Sequence, residues 1–390
     1  MLGLARSGRA AQAALEANGV EVVAAGRTLG NDADLGLLDG VDVLVKSPGV
    51  AGEAPLVAAA RELGIPVWSE IELASRFLEN PLIGVTGTNG KTTTTELLGA
   101  MLGARTAGNV GTALSQLVGE VEPDAWIVCE LSSFQLEDID ELKPRIAVLL
   151  NLEPDHLDRH GTFERYRDAK LRIFENQTAA DVAVVPLGFG AIPGAGRRVE
   201  FSAEDELPAE PAIPGAHNRE NAAAATAAAR AAGLDDDAIA AALRSFAGVP
   251  HRLELVAEIG GVRFVNDSKA TNTTAARRAL TAYGAPLHLI LGGSLKGERF
   301  DDFAEDVARA NVVTAYLIGE AAEPLATDLG DANVPFLIST TLERAVTEAA
   351  GAAQAGEIVL LSPACASYDQ FRDFEHRGEE FKRLVENLQG

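Results

Sequence analysis

Cysteine is scarce: the 390 residues hold two, Cys129 and Cys365, far apart and each inside an apolar run. So placed, they indicate no disulfide framework, and both are expected as reduced core residues. Missing too is any stretch of the ~18 to 20 uninterrupted apolar residues that spanning a bilayer requires. The first residues carry neither the basic start nor the apolar block and cleavage site of a signal peptide. Positive charge is short as well: 33 basic residues stand against 57 acidic ones, a formal net charge of −24. That balance argues against nonspecific binding to nucleic acid or to an anionic membrane. An anionic substrate would have to be held by local basic groups and backbone amides against the global field; salt adaptation is another reading of the acidity. There is no internal repeat at a fixed period and no low-complexity tail.

What is there is ordinary for a globular chain, 47% hydrophobic and 23% charged. The length suits two or three domains of ~100 to 200 residues. Residues 1–79 alternate β-rich runs (20–24, 41–46, 66–68) with helical ones, a small α/β unit. It opens on Gly3, Ala5 and Gly8, an imperfect Gly-x-Gly-x-x-Gly turn, which leaves a phosphate cradle and tight packing without a ligand equally open. The turn follows Met1 directly, where a strand should precede it, so this domain either lacks its first strand or is clipped. Asn80 and Pro81 mark a linker. A second α/β domain over 80–248 has strands at 82–85, 126–129, 146–150 and 182–185 and ends at a Gly/Pro break after an alanine-rich helix. A third, over 249–390, has strands at 262–265, 287–291, 314–318 and 358–361.

The strongest chemical signal is Thr-Gly-Thr-Asn-Gly-Lys-Thr at 86–92, between a strand and a helical run. Backbone amides and a helix N-terminus can hold phosphate oxygens there, Lys91 can neutralise them and the Thr92 hydroxyl can ligate magnesium. Val85 stands where the full phosphate-loop pattern has its first glycine. Glu130 follows one strand, and Asp155 and His156 lie just past another. Since ligands gather at the carboxyl ends of parallel strands, a phosphate loop, a carboxylate and an imidazole should converge.

Four central blocks, 86–92, Glu-Leu-Ser-Ser-Phe-Gln-Leu-Glu at 130–137, Asn-Leu-Glu-Pro-Asp-His-Leu-Asp at 151–158 and Gly-Ala-His-Asn-Arg-Glu-Asn at 215–221, resemble the Mur ligase family. Pro-His-Arg at 250–252, Asn-Asp-Ser-Lys-Ala-Thr-Asn at 266–272, Leu-Gly-Gly at 291–293 and the run 361–371 look like its D-glutamate-adding branch. The Asp-Asn-Pro-Arg signature of the diaminopimelate or lysine adders is absent. The resemblance implies three α/β domains: a Rossmann-like one, a central P-loop-type ATPase domain with a mostly parallel sheet, and a C-terminal Rossmann-like one. It also implies ATP-dependent joining of D-glutamate to UDP-N-acetylmuramoyl-L-alanine through an acyl phosphate, in a cytoplasmic, monomeric enzyme without nucleic-acid or membrane partners.

The resemblance further implies two magnesium ions, one on Thr92 and Glu130, the other on His156 and a carbamylated Lys170, with Lys91 completing the catalytic set. For ATP it implies Gly87, Thr88, Asn89, Gly90, Lys91, Thr92 and Thr93, with Asn218 and Asn221 on the adenine side and Arg252, Asp267 and Lys269 closing the clamp. Asn109, Ser132, Phe134, Gln135 and Arg159 would line the muramoyl arm, with Ser7 near the uridine end. Lys46 to Gly49 form a further turn that reads equally as plain structure. The D-glutamate pocket would take Thr271, Lys296, Ser367, Tyr368 and Phe374. Tyr368 departs from the leucine of the pattern, and the loop 25–28 lacks the usual acidic residue. Closure of the third domain about 247–250 would bring Arg252, Lys269 and Lys296 to their ligands. The alternatives are a sibling ligase, a folylpolyglutamate synthase, a nucleotide-binding module without turnover and, weakest, a dehydrogenase on the glycine turn.

Overall fold

The computed structural model describes residues 1–109, 111–213, 215–295 and 299–388, the side chains of Asp158 and Thr274 excepted. The chain forms two compact units, Met1–Phe246 and Ala247–Gly390. Among the described residues no helix is long and apolar enough to cross a membrane. Cys129 and Cys365 are buried, and neither forms a disulfide among the described residues.

The first unit holds two sheets. The smaller pairs β1 (Leu44–Lys46) with β2 (Val67–Ser69) in parallel, flanked by the helices Arg6–Ala17, Pro55–Glu62 and Glu70–Phe77. The strand read at 20–24 does not form. A ladder needs consecutive pairs, but Leu2 is the residue that lies alongside, making single bridges to Ala25 and Lys46. Val20 and Val23 are left exposed.

The larger sheet is wholly parallel. Its strands are β3 (Leu82–Thr86), β4 (Arg105–Gly108), β5 (Ile127–Glu130), β6 (Ile146–Leu149), β7 (Val182–Pro186) and β8 (Arg197–Phe201), in the order β4-β5-β3-β6-β7-β8. β3, β5 and β6 are buried throughout, which is why each reads as an unbroken apolar run. The helices Lys91–Leu102 and Ala216–Ala231 cover one face, where Leu97 and Leu98 meet Ala222 and Ala225. Small side chains let two helices approach closely, which accounts for the alanines of the second helix. β4 and β8 are edge strands with exposed residues and no apolar run, so pattern alone missed them.

In the second unit β9 (Glu254–Ile259), β10 (Val262–Asn266), β11 (Leu287–Gly292), β12 (Val312–Ile318), β13 (Phe336–Thr340) and β14 (Ile358–Leu361) form one sheet, ordered β13-β12-β11-β14-β10-β9. Only β9 is antiparallel, folded back on β10. β9 and β13 are again edge strands that the sequence pattern did not show.

Candidate active site

The register of the central sheet sets the site. Val85 pairs with Glu130 and Thr86 with Leu149, so the carboxyl ends of β3, β5 and β6 stop side by side. From β3 the chain turns through Gly87 to Gly90 into the helix Lys91–Leu102, and a helix N-terminus in that position suits an anion. Gly90 caps that helix at φ 83°, and a Cβ there would come 2.1 Å from Asn221 Oδ1. Asn221 therefore lies directly against the loop, with Asn218 one turn earlier accepting its amide hydrogen at 3.5 Å.

Residues the sequence reading did not single out brace this loop. Asn151 Oδ1 accepts from the Asn89 amide (2.8 Å), and Asn151 Nδ2 returns a bond to Asn89 O (3.2 Å). The Thr88 hydroxyl lies 2.9 Å from that of Tyr166 and accepts from the Glu153 amide (3.0 Å). Asn151 opens the block 151–158, a signal that could have marked it. Thr92 is buried and Thr93 half-buried on the first turn.

Two lysines reach the same carbonyl. Lys91 Nζ donates to Gly87 O and Thr88 O (2.8 and 2.9 Å), and Lys170 Nζ donates to Gly87 O (2.8 Å). Lys170 is buried, and desolvation, aided by the charge of Lys91, pulls its amine down to about 6, against the opposing pull of Asp155 and Glu130. It is thus mostly neutral near pH 7, a nucleophilic amine rather than a surface cation. Glu130, also buried, accepts from Asn109 Nδ2 with Oε1 (3.0 Å), while Oε2 has no partner among the described residues. A buried carboxyl oxygen left open in this way suits a cation. No three of His, Cys, Asp and Glu converge on a common metal position among the described residues. Any ion here would therefore draw on a hydroxyl, a modified lysine or ligand oxygens as well.

His156 adopts φ 51° and its ring lies 4.9 Å from that of Phe134, beside Asp155 and half exposed. Arg159, whose guanidinium lies 4.4 Å from the Phe134 ring centroid, and His160, stacked at 5.5 Å, also pack on that ring. His160 was missed by the sequence reading; burial lowers its pKa, and it lies 3.0 Å from Ser133 Oγ and 3.2 Å from Glu137. Ser132 and Gln135 bond each other in a capping box at the helix Ser133–Leu136, and Gln135 is buried. Their polar groups thus serve the helix end. On the helix Arg6–Ala17, Gly8 packs where a Cβ would come 1.9 Å from Gly3 O, and Ser47 Oγ donates to the same carbonyl (2.8 Å). The glycine turn is thus tightly packed in its own right, with Ser7 half-buried beside it.

In the second unit Arg252 is flanked by His251 and Leu253 at φ 62° and 45°, a conformation uncommon for residues other than glycine. Asp267 accepts from the Leu253 amide (3.2 Å) and Ser362 Oγ (2.8 Å), and burial pushes its carboxyl up to about 7. Arg377, unread from sequence, is fully buried and donates to Ser268, Cys365 and Ala366, while Ser268 Oγ donates to Phe374 O. One guanidinium thereby ties together the segments that carry Lys269 and Thr271, Ser367, and Phe374. Ser367 is buried, Tyr368 is 70% exposed, and Lys269 Nζ stands 6.0 Å from the Phe374 ring centroid. Lys296 lies outside the described residues, two positions after Ser294, whose amide bonds Ala366 O.

A phosphate-type loop on a parallel sheet, accompanied by a second, mostly parallel α/β unit with its own polar cluster, defines a nucleotide-binding class of α/β protein. Residues 85–188 match the Mur ligase middle domain, and residues 251–365 match the Mur ligase, glutamate ligase domain. A UDP-N-acetylmuramoylalanine–D-glutamate ligase of Acidobacterium capsulatum is 44% identical, over 88% of this chain and 82% of its own. One of Geobacillus kaustophilus is 42% identical, over 96% and 88%. Among solved structures, MurC of Thermotoga maritima aligns with TM-score 0.57 at 20% identity, over 100% of this chain and 98% of its own. MurF of the same organism in complex with ADP gives 0.58 at 20% identity, over 90% and 97%, a likeness of fold. The chain belongs to the Mur ligase family, among the UDP-N-acetylmuramoylalanine–D-glutamate ligases.

Proposed function

We propose that this chain joins D-glutamate to UDP-N-acetylmuramoyl-L-alanine with cleavage of ATP, in peptidoglycan precursor synthesis. The observation that carries this is the 41 to 44% identity, over most of the chain, with relatives named for that reaction. A carboxylate is a poor electrophile. Its oxygen attacks the γ-phosphorus of ATP and ADP departs; the amine of D-glutamate then attacks the acyl carbon, phosphate leaves and a proton is lost. Lys91, with the amides of the phosphate loop, is assigned to the phosphate charge, and Asn218 and Asn221 to the adenine side. Arg252, Asp267 and Lys269 are assigned to the nucleotide phosphates, and Thr271, Lys296, Ser367, Tyr368 and Phe374 to the amino acid. Ser7 is assigned to the uridine end, and Asn109, Ser132, Phe134, Gln135 and Arg159 to the muramoyl arm. Because Ser132 and Gln135 already bond each other and the Asn109 amide bonds Glu130, Phe134 is the stronger member of that set. We assign the domains to residues 1–79, 80–248 and 249–390 and the place of action to the cytoplasm, as a monomer.

Bound magnesium would supply charge stabilisation at the transferring phosphate. Thr92 and Glu130 would hold one ion, and His156 with Lys170 as a carbamate the other. The open Glu130 oxygen and the neutral Lys170 amine, able to add to carbon dioxide with loss of a proton, fit these roles. A 13C carbamate resonance after equilibration with labelled bicarbonate, absent from Lys170→Met, is expected; a spectrum unchanged by the substitution would remove the modification. The function itself is tested by phosphate release from ATP with UDP-N-acetylmuramoyl-L-alanine and D-glutamate, L-glutamate, L-alanine or diaminopimelate in turn. Release that requires D-glutamate is expected, and release with another amino acid alone would overturn the acceptor assignment.

A further inference from the structure

Lys46, the last residue of β1, is 1% exposed, and its ammonium meets Asp138 Oδ2 at 2.8 Å. Asp138, 3% exposed, belongs to the segment after the helix Ser133–Leu136 of the central part of the same unit. Its second oxygen pairs with Arg61 at 2.8 Å, and its backbone carbonyl accepts from the Ser69 amide at 2.7 Å. Two cations then converge on the turn that follows β1. Lys46 Nζ donates to Val50 O (3.2 Å), and Arg159 donates to Pro48 O and Val50 O (both 3.3 Å) while pairing with Glu137 (3.0 Å). From this turn Ser47 reaches the glycine turn at Gly3, and Arg159 reaches Phe134 and through it His156. Burying two charges is costly unless they are paired, so a buried pair at this join needs a reason beyond stability.

We propose that Lys46 and Asp138 form a buried latch that fixes the turn 47–50, and with it the glycine turn, against the central sheet. They are positioning residues for a substrate long enough to touch both ends of the latch. This rests on the reading that residues 1–79 hold the nucleotide end of UDP-N-acetylmuramoyl-L-alanine while the central sheet activates its carboxylate. Two binding ends on one rigid frame act at a high effective concentration, which is lost once the frame can shift. ATP and D-glutamate do not span the latch and should not sense it.

The test compares Lys46→Met/Asp138→Asn with the parent, with Lys46→Arg as the conservative control and Asp138→Asn alone as the variant that strands a buried cation. The double variant removes both charges and so should keep its fold. In it, kcat/KM for the nucleotide substrate is expected to fall about tenfold or more, with KM for ATP and D-glutamate within about twofold of the parent. Lys46→Arg should retain most of the activity. Amide exchange supplies a readout free of substrate: the amides of Ser47 and Ser69 should exchange faster in the double variant, with those along β3 and β5 unchanged. Unchanged exchange, an unchanged kcat/KM, or equal losses for all three substrates would each overturn the latch. Should the parent itself turn over no D-glutamate, the functional reading fails, and the exchange comparison alone decides the latch.

Discussion

At Gly90 two constraints coincide, a left-handed φ of 83° and an Asn221 oxygen 2.1 Å from where a Cβ would sit. Gly90→Ala should cost about 2 kcal/mol and weaken ATP binding, read by melting temperature with and without nucleotide. Adding Asn221→Ala should recover part of the stability, since it clears the clash but not the backbone strain. Asp267 makes a second prediction. Burial raises its carboxyl from 3.8 to about 7 in the folded state, so across that window the folded chain holds a proton the unfolded chain has released. Stability therefore falls as pH rises through the window, and the penalty persists above it. Asp267→Asn should melt later than the parent at about pH 8, by roughly 1–3 kcal/mol, and alike at about pH 4. Equal melting shifts at both pH values would refute it.

At the scale of elements, central strands and peripheral ones differed in legibility for one reason. β3, β5 and β6 are buried on both faces and show as apolar runs, whereas β4, β8, β9 and β13 are edge strands that carry exposed residues. The phosphate loop was readable because its parts are consecutive residues. Its braces, Asn151 and Tyr166, come from elsewhere in the chain and depend on which strand ends adjoin. The same holds for Arg377, on the helix Phe374–Asn387, which no local pattern distinguishes from a surface arginine. Replacing it should destabilise strongly, because the carbonyls of Ser268 and Cys365 lose their donor inside the core. Arg377→Met is expected to cost on the order of 3 kcal/mol in the thermal unfolding of the chain. Arg377→Lys should recover little, since an ammonium cannot span the same set of carbonyls.

For the whole molecule the charge of −24 is the dominant long-range quantity. Several of its ion pairs, such as Arg309 with Glu305, are exposed and weak, so screening should relieve more repulsion than it removes attraction. Melting temperature is therefore expected to rise with sodium chloride between about 0.05 and 0.5 M; a fall would show that the surface pairs outweigh the net charge. The sequence by itself determined the α/β class, the central parallel strands, the phosphate loop and the family, because each is written in neighbouring residues or in ordered blocks. The tertiary structure alone decided that Lys46 is a buried ion-pair partner of Asp138 and that Ser132 and Gln135 satisfy each other. It likewise left the run 20–24 without a ladder and drew Lys170 down to about 6. Burial and the choice of partner set the charge state and hydrogen bonding of a side chain, and both arise only when distant segments meet.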